Sequence, residues 1–309
     1  MEYFKYRLDE SYIKKREEAQ QNLTVFQTHR SFFQYRPESS RFFNYLLAFF
    51  LKVSFLYSRG LKNALDYSLH ENIIFVPDLP VEFREFRILH LSDLHIECIR
   101  DGGERLLTLI DGLEFDLCVI TGDFRLSKNV DMELFRERME SLVGVLQCRY
   151  GISSVLGNYD SLEIVPILEK LGIRVLLNEI QRIISGKYSL QIIGVDEVTL
   201  SHSSEMKNLR KKAEPNLFSI LLNHSPSLWK IASEENINLY LCGQTHGGQI
   251  CFPGGRPIWK NINLPNDIFS GAWKRDNMHG YTSRGIGTSV LPVRYSCPPE
   301  VVVHILHGL

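Results

Sequence analysis

Five short apolar runs of the chain end directly in polar segments that contain aspartate, asparagine or histidine. Each run has the length and β-branched content of a buried strand, and helical patterns lie between them. Alternating strands and helices predict an α/β sandwich. Ligands in open α/β sheets bind outside the carboxyl ends of strands, so we expect all five polar segments to meet at one site. The five runs are Arg87–Leu91, Leu117–Thr121, Ile152–Leu156, Phe218–Leu222 and Asn238–Cys242.

The remaining pattern extends this alternation. Further strands are predicted at Leu190–Val195, Ile250–Phe252 and Val301–Leu306. Helices are predicted at Glu104–Asp111, Asp131–Gln147, Leu162–Leu171 and Pro226–Glu235. The last helix begins at Ser225-Pro226, because serine can cap a helix and proline suits its first turn.

The polar segments supply oxygen and nitrogen donors of the kind that bind metal ions. Asp93 and His95 are two residues apart, so an extended backbone directs both to the same side. Such donors together suit Mn²⁺, iron or Zn²⁺. Two such ions can hold a phosphoryl group and activate water. The candidate ligands are Asp93, His95, Asp123, Asn158, His224, Gln244 and His246.

Each of these residues also has a simpler explanation. An aspartate after a strand often caps a turn, and Gly-Asn and Gly-Asp are common turn pairs. A lone histidine is usually at the surface or hydrogen-bonded in the core, as we expect for His90. The joint occurrence at five strand ends favours a shared site. Arg125, Arg256, Arg284 and Arg294 are candidates to hold phosphate or to form surface salt bridges, and Asp196 is a candidate cap or a support for a ligand.

The composition excludes some classes of function. The formal net charge is -1, so no global basic field favours a nucleic-acid partner. Six cysteines are scattered without the close pairs of a structural zinc site, which is typical of a reducing compartment. The N-terminal residues contain no apolar core like that of a signal peptide. We therefore expect a cytoplasmic protein.

An aromatic-rich run at residues 42–57 predicts membrane association. The run is shorter than the roughly 20 residues of a membrane-spanning helix, and Lys52 interrupts it. An in-plane helix fits better, with aromatic side chains at the acyl boundary and Arg41, Lys52, Arg59 and Lys62 near head groups. The alternative is a helix that packs on the α/β domain or in a dimer. The extended segment Val76–Pro80 then separates an N-terminal helical segment, residues 1–80, from the α/β domain, residues 81–309.

The motifs resemble those of the calcineurin-like metallophosphoesterases. That family carries Asp-x-His, Gly-Asp, Gly-Asn-His-Asp/Glu, a lone His and Gly-His-x-His, and the resemblance covers about residues 86–309. The segments Thr245–Gln249, Ser283–Gly287 and Arg294–Glu300 resemble the YkuE/YaeI-type branch, which includes a UDP-2,3-diacylglucosamine pyrophosphatase of lipid A synthesis. The resemblance implies two mixed β-sheets flanked by helices and two divalent ions, with Mn²⁺ expected.

The resemblance also implies residue roles. Asp93, His95 and His246 would hold one ion, Asn158 and His224 the other, and Asp123 would bridge them. The implied catalytic residues are Asp123, Asn158, Tyr159 and His224.

Two positions depart from the family pattern. Gln244 stands where the family has a histidine ligand of the second ion, so we expect weaker binding there. Tyr159 stands where many relatives have a histidine that protonates the leaving group. Because tyrosine has a pKa near 10, we expect a preference for leaving groups that are already good anions.

The expected function is metal-dependent hydrolysis of UDP-2,3-diacylglucosamine to lipid X and UMP, by a protein bound peripherally to the inner membrane. Two alternatives remain open. One is a phosphodiesterase of broad specificity that acts on soluble substrates. The other is a regulatory protein that keeps the fold with weakened catalysis.

Overall fold

The computed structural model describes residues 2–4, 7–18, 41–77, 79–126, 131–196, 202–289 and 291–308. The helices are α1 (residues 10–18), α2 (Arg41–Val53), α3 (Leu56–Asn63), α4 (Glu104–Ile110), α5 (Met132–Val145), α6 (Val165–Lys170), α7 (His202–Lys212) and α8 (Trp229–Glu234). The strands are β1 (Ser68–Val76), β2 (Phe86–Leu91), β3 (Leu117–Thr121), β4 (Ile152–Val155), β5 (Ile173–Val175), β6 (Glu179–Ser185), β7 (Tyr188–Val195), β8 (Ser219–Asn223), β9 (Leu239–Cys242), β10 (Gly271–Arg275), β11 (Met278–Thr282) and β12 (Glu300–Gly308).

The strands form two six-stranded sheets of mixed direction. The first has the order β1-β12-β2-β3-β4-β5, and the second has the order β10-β11-β9-β8-β7-β6. In the first sheet β12 and β2 are antiparallel and the other neighbours are parallel. In the second sheet the antiparallel pairs lie at the two ends. The α/β fold predicted from the sequence pattern and the two mixed sheets implied by the resemblance are both confirmed.

Three apolar clusters arrange the helices and sheets in layers. Ile88 and Val119 of the first sheet pack with Ile220 and Leu241 of the second, so the two sheets face each other. A second cluster packs α4, α5 and α6 on the outer face of the first sheet, and a third packs α7 and α8 on the second. Strand β3 is buried at every position, which explains its continuous apolar sequence.

The N-terminal residues also contact this fold. Phe4 and Ile13 are buried in the cluster that covers the first sheet. Strand β1 pairs in parallel with β12 over its whole length, from Ser68 to Val76. The first sheet therefore begins at Ser68, before the boundary expected at residue 80.

The aromatic-rich run forms two short helices. Helix α2 ends at Val53, and Phe55 has a left-handed backbone before α3 begins. Within the described ranges, no helix has the length and apolar character needed to cross a bilayer. Helix α3 is fixed to the body of the protein because Asn63 donates a hydrogen bond to the carbonyl of Arg294 at 2.9 Å.

Several predicted elements are shorter in the structure. Asp131 caps α5 by accepting from the backbone N–H groups of Glu133 and Leu134. The helix predicted from Pro226 begins as a 3₁₀ turn, in which Ser225 accepts from the N–H of Ser227 as expected.

The strand predicted at Ile250–Phe252 was wrong. Only isolated bridges form there, from Ile250 to Tyr295 and from Cys251 to Pro257, because the chain turns back immediately.

Candidate metal centre

The predicted ligands lie at the carboxyl ends of parallel strands. Asp93 and His95 follow β2, and Asp123 follows β3. His224 follows β8 in the facing sheet, where Gln244 and His246 follow the neighbouring strand β9. The strand ends of both sheets therefore converge on one site, as the polar segments predicted.

Most of these residues have an unusual backbone conformation. Positive φ angles occur at Asp93 (49°), His95 (39°), Asp123 (53°), Gln244 (68°) and His246 (49°). A non-glycine residue rarely adopts this region, and each instance costs about 1–3 kcal/mol. Such conformations cluster at functional sites, where the surrounding structure holds side chains in one direction.

One group of potential ligands contains Asp93, His95 and His246, all of them buried. The Nε2 atoms of His95 and His246 are 3.4 Å apart, and their rings are stacked. The Nε2 atom of His246 lies 3.4 Å from Asp93 Oδ1. Three donor atoms therefore face one small space.

A second group shares Asp93 and adds Asp123 and His224. His224 Nε2 lies 3.2 Å from Asp123 Oδ2 and 4.0 Å from Asp93 Oδ1. Asp123 Oδ2 also lies 3.9 Å from His95 Nε2, so Asp123 is within reach of both groups. The two donor groups are adjacent.

Backbone hydrogen bonds fix the orientation of two histidines. His95 Nδ1 donates to the carbonyl of Arg125 at 2.9 Å, and His224 Nδ1 donates to the carbonyl of Thr121 at 2.7 Å. A neutral imidazole carries one proton, so each Nε2 presents a lone pair to the centre. This arrangement is typical of metal-binding histidines.

The carboxylates favour a bound cation. Asp93 Oδ2 accepts from Ser92 Oγ at 2.6 Å and from the Gln244 N–H at 3.1 Å. Its buried Oδ1 accepts no hydrogen bond from the described part of the chain. Burial raises the pKa of Asp93, with the neighbouring Asp123 carboxylate as a further cause. A divalent cation fits this donor set because Asp93 Oδ1 would bind it, and its charge would offset that of both carboxylates.

Asp123 is ionised in this environment. Burial opposes its charge, but with no cation bound a proton on His224 Nε2 lowers the pKa of Asp123 to about 2. A bound cation would take the place of that proton and use the Nε2 lone pair. The N–H of Tyr159 also donates to Asp123 Oδ1 at 3.0 Å. Asp123 is therefore fixed between His224 and the segment that carries Asn158 and Tyr159.

The segment after β4, which carries Asn158 and Tyr159, packs against Asp123. A Cβ atom at Gly157 would lie 2.2 Å from Asp123 Oδ1, so only glycine permits this approach. Asp160 holds the turn closed by accepting from the N–H groups of Gly157 at 2.8 Å and of Arg125 at 3.2 Å. The Tyr159 ring meets the His95 ring edge to face, with centroids 5.8 Å apart.

Gln244 lies next to Asp93 through its backbone. Its N–H donates to Asp93 Oδ2, and its carbonyl accepts from Asn261 Nδ2 at 2.8 Å. A Cβ at the preceding Gly243 would lie 2.3 Å from Asp93 Oδ2. The turn that carries Gln244 and His246 therefore packs directly on the Asp93 carboxylate.

Three of the candidate phosphate-binding arginines form hydrogen bonds or an ion pair with other residues of the chain. Arg125 is buried and donates to Ser161 Oγ at 2.6 Å. Arg284 pairs with Glu300, with Nε 2.7 Å from Oε2. Arg294 is buried and donates to the carbonyls of Arg284 and Gly287. These bonds give the arginines structural roles, and Arg256 lies on an exposed turn.

Sequence reasoning missed Arg16, which contacts the ligand-bearing turn from helix α1. Its Nη2 donates to the carbonyls of Gly157 and Asp160, each at 3.0 Å. Its Nη1 pairs with Asp196, and both side chains are fully buried. Asp196 thus supports the site through Arg16. The sequence contains no local signal for this pairing because the two residues are far apart in the chain.

Comparison with known proteins agrees with this architecture. Residues 86–280 match the family model for the calcineurin-like phosphoesterases. The chain is 28% identical to the uncharacterized metallophosphoesterase YkoQ of Bacillus subtilis, over 84% of this chain and 97% of that protein. It is 28% identical to the uncharacterized metallophosphoesterase YkuE of Bacillus subtilis, over 74% of this chain and 81% of that protein. It is also 28% identical to the phosphodiesterase YaeI of Escherichia coli, over 71% and 81%.

The chain belongs to the calcineurin-like phosphoesterase family, and its relatives place it in the YkuE/YaeI-type branch. It is a metal-dependent phosphoester hydrolase. The family and the two donor groups indicate divalent metal ions as cofactors.

Proposed function

We propose that the protein hydrolyses the pyrophosphate bond of a nucleotide-linked glycolipid at the cytoplasmic face of the inner membrane. The best candidate is UDP-2,3-diacylglucosamine, with UMP and lipid X as products. The observation that carries this proposal is an exposed apolar surface that is fixed to the same segments as the buried donor groups.

The roles proposed for the site residues are those that the family resemblance implies. Asp93, His95 and His246 would hold one ion, and Asn158, His224 and Gln244 the other, with Asp123 between them; we propose Mn²⁺ at both. Such ions, when bound, polarise phosphoryl oxygens and lower the pKa of water. The chain restricts the orientation of the ligands, because six of the seven have a second hydrogen bond or a constrained backbone that limits their movement; the exception is Asn158.

Tyr159 bears on the choice of substrate. A tyrosine hydroxyl is a weak acid near neutral pH, so it gives little help to a leaving group that must be protonated. Cleavage of a phosphoanhydride releases a phosphate monoester anion, which needs no such proton. The residue therefore favours pyrophosphates and aryl phosphodiesters over alkyl phosphates.

An apolar surface on α2 and α3 supports a lipid substrate. Phe49, Phe50, Val53 and Phe55 are exposed, with Phe55 at 89%. Residues 41–63 contain Arg41, Lys52, Arg59 and Lys62 and no acidic residue. Exposed aromatic side chains with flanking cations match an anionic lipid surface. We call residues 49–56 the apolar rim.

A second exposed apolar element lies beside the metal ligands. The turn at residues 252–259 exposes Phe252, Ile258 and Trp259. It packs on the ligand-bearing turn, since a Cβ at Gly248 would lie 2.4 Å from Pro257. We call residues 252–259 the apolar turn.

Tyr295 connects the apolar rim to the apolar turn. Its hydroxyl donates to the carbonyl of Leu56 at 2.7 Å, and its own carbonyl accepts from the N–H of Cys251 at 2.9 Å. The next residue towards the N-terminus, Arg294, lies 3.4 Å from His246 Nδ1. A lipid whose acyl chains contact these apolar residues could therefore present its phosphates to the donor groups.

The second candidate function is a phosphodiesterase that acts on soluble substrates. The likeness to the phosphodiesterase YaeI favours it. In that case the apolar rim would serve only as an anchor or as packing, and acylation of the substrate would not alter its turnover.

The two functions are separated by one assay on the full chain. UMP release from UDP-2,3-diacylglucosamine is measured after chelation, with and without added Mn²⁺, beside UDP-N-acetylglucosamine and bis(p-nitrophenyl) phosphate. The proposal expects Mn²⁺-dependent release from the acylated substrate, with Asp123→Asn reducing it more than about a hundredfold and the exposed control Asp111→Asn leaving it unchanged. Equal turnover of the acylated and unacylated sugar nucleotides would favour the soluble phosphodiesterase.

A further inference from the structure

A continuous row of buried polar side chains connects Asp93 to the edge of the first sheet. Asp93 Oδ2 is 2.6 Å from Ser92 Oγ, which is 2.7 Å from Thr121 Oγ1. Thr121 Oγ1 is 2.9 Å from His90 Nε2, and His90 Nδ1 is 3.2 Å from His304 Nε2.

The row ends at strand β1. His304 Nδ1 is 3.0 Å from Nδ2 of Asn72, the residue paired with His304 in the parallel register of β1 and β12. His90, Ser92, Thr121 and His304 are fully buried. The row therefore crosses β2, β3 and β12 inside the protein, where water cannot replace a missing partner.

The charge of Asp93 fixes the direction of every hydrogen bond in this row. The hydrogen bond at 2.6 Å runs from Ser92 Oγ to Asp93 Oδ2, and in the metal-loaded protein Asp93 is a carboxylate, which only accepts, so Ser92 uses its single proton on Asp93. Ser92 Oγ then accepts the hydroxyl proton of Thr121, which leaves Thr121 with no proton to donate to another partner. Thr121 Oγ1 can consequently only accept from His90, which requires a proton on His90 Nε2.

The same reasoning continues through the two histidines. Burial lowers the pKa of His90 to about 3 and the pKa of His304 well below its usual value, so both rings are neutral. A neutral ring with a proton on Nε2 accepts at Nδ1. His304 Nε2 must then donate to His90 Nδ1, and Asn72 must donate its amide N–H to His304 Nδ1.

We propose that Asn72, His304, His90, Thr121 and Ser92 form a one-directional hydrogen-bond chain that positions Asp93 for metal binding. Every donor points towards Asp93 Oδ2. With Oδ2 held by Ser92 and by the Gln244 N–H, the carboxylate cannot rotate, and Oδ1 remains directed at His246 and His224. These five residues are positioning residues, because none of them contacts the ion directly. Four act only through Asp93, and Thr121 also holds His224 through its backbone carbonyl.

The wild-type protein provides the first test. The metal-loaded chain is labelled with ¹⁵N-histidine, and the tautomer of each ring is read from long-range ¹H–¹⁵N correlations, with Zn²⁺ as the diamagnetic probe. His90 and His304 are assigned from spectra of single substitutions. Protons on Nε2 of both rings are expected, and a proton on Nδ1 of either ring would overturn the proposal.

The matched pair Thr121→Val and Thr121→Ser provides the second test. Both keep the backbone carbonyl that holds His224, but only serine keeps a hydroxyl. In Thr121→Val the His90 Nε2–H loses its acceptor, so both histidines are expected to switch to Nδ1–H, with Asn72 turning its amide oxygen towards His304. Thr121→Ser keeps the wild-type tautomers.

The functional readout is metal affinity. If Thr121 acted only by packing, a change in metal affinity would not accompany a change of histidine tautomer. Titration of the apo proteins with Mn²⁺ is expected to show binding at least about tenfold weaker in Thr121→Val than in Thr121→Ser. Equal affinities, or unchanged tautomers in a folded Thr121→Val protein, would show that the row does not act on Asp93.

Discussion

Arg16 in helix α1 donates to the carbonyl of Gly157 at 3.0 Å, and so connects the N-terminal segment to the turn that carries Asn158. Arg16→Gln would remove this bond and leave Asp196 buried without its cation, at a cost of about 3–5 kcal/mol in the free energy of unfolding. The double substitution Arg16→Gln/Asp196→Asn removes the buried charge together with the bond. We expect this double variant to fold and to lose metal affinity and kcat about 10–100-fold.

Three measurements check the role of Arg16: thermal denaturation, Mn²⁺ titration and steady-state kinetics of the double variant. Lys15→Gln is the matched control, because Lys15 lies in the same helix with an exposed side chain. Wild-type metal affinity in a folded double variant would limit Arg16 to a role in stability.

Gln244→His is expected to strengthen the second metal site. Imidazole is a stronger ligand than a carboxamide oxygen for Mn²⁺, iron and Zn²⁺. We expect the variant to retain about two equivalents of metal through gel filtration, where the wild-type protein retains fewer. Elemental analysis of freshly purified protein gives the count, and two firmly held equivalents in the wild-type protein would refute weak binding at this site.

Tyr159→His is expected to change the dependence of kcat on the leaving group. The wild-type protein should favour pyrophosphates and aryl phosphodiesters over alkyl phosphates, because Tyr159 is a poor acid near neutral pH. A histidine with a pKa near 6.5 can protonate an alkoxide, so the variant should gain most on alkyl substrates. A panel of phosphodiesters of graded leaving-group pKa tests this, with Tyr159→Phe as the control that removes only the hydroxyl.

The apolar rim predicts binding to anionic liposomes. Phe49→Ser/Phe50→Ser/Phe55→Ser removes three exposed rings, each worth about 1.5–3 kcal/mol when fully buried. We expect the full chain to float with liposomes that contain anionic lipid and the triple variant to remain in the dense fraction.

The control for flotation is Ile184→Ser, because Ile184 is 63% exposed on strand β6 of the opposite sheet. Turnover of bis(p-nitrophenyl) phosphate should be the same in the wild-type protein and both variants. Equal flotation of the triple variant and the wild-type protein would remove the case for a lipid-facing rim.

The buried histidines predict loss of stability in mild acid. The unfolded chain binds a proton at His90 below pH 6.5, whereas burial keeps the pKa of the folded ring at about 3. The stabilisation is complete above pH 6.5 and falls by about 1.4 kcal/mol per pH unit below it. Denaturant unfolding between pH 6.5 and pH 5 should show a shallower dependence of the free energy of unfolding on pH in His90→Gln than in the wild-type protein, and an equal dependence would contradict the prediction.

The ligand-bearing strand ends could be predicted from the sequence because the pattern is local. Each apolar run and the polar segment that follows it can be recognised from neighbouring residues alone. The topology of an α/β fold then brings the polar segments together. The same reasoning correctly placed His90 in the core. The pattern predicted the α/β class and the convergence of Asp93, Asp123, His224 and His246, which the structure brings together.

The contacts that support the ligands could not be predicted in this way. The pairing of His90 with His304 depends on the register between β2 and β12, and the pairing of Arg16 with Asp196 depends on where α1 docks. Strand β1 was missed because its exposed side chains alternate with half-buried ones, as expected for an edge strand. Only the tertiary structure places these residues beside the site.

The position of β12 has a consequence for synthesis of the protein on the ribosome. This strand lies between β1 and β2, yet it is translated after both. Strand β1 is therefore synthesised before β12, its neighbour in the sheet. Its residues Leu69, Ile73 and Phe75 are exposed even in the complete fold. Completion of the first sheet must wait for residues 300–308, so the pairing of β1 and β2 through β12 is a late, long-range step of folding.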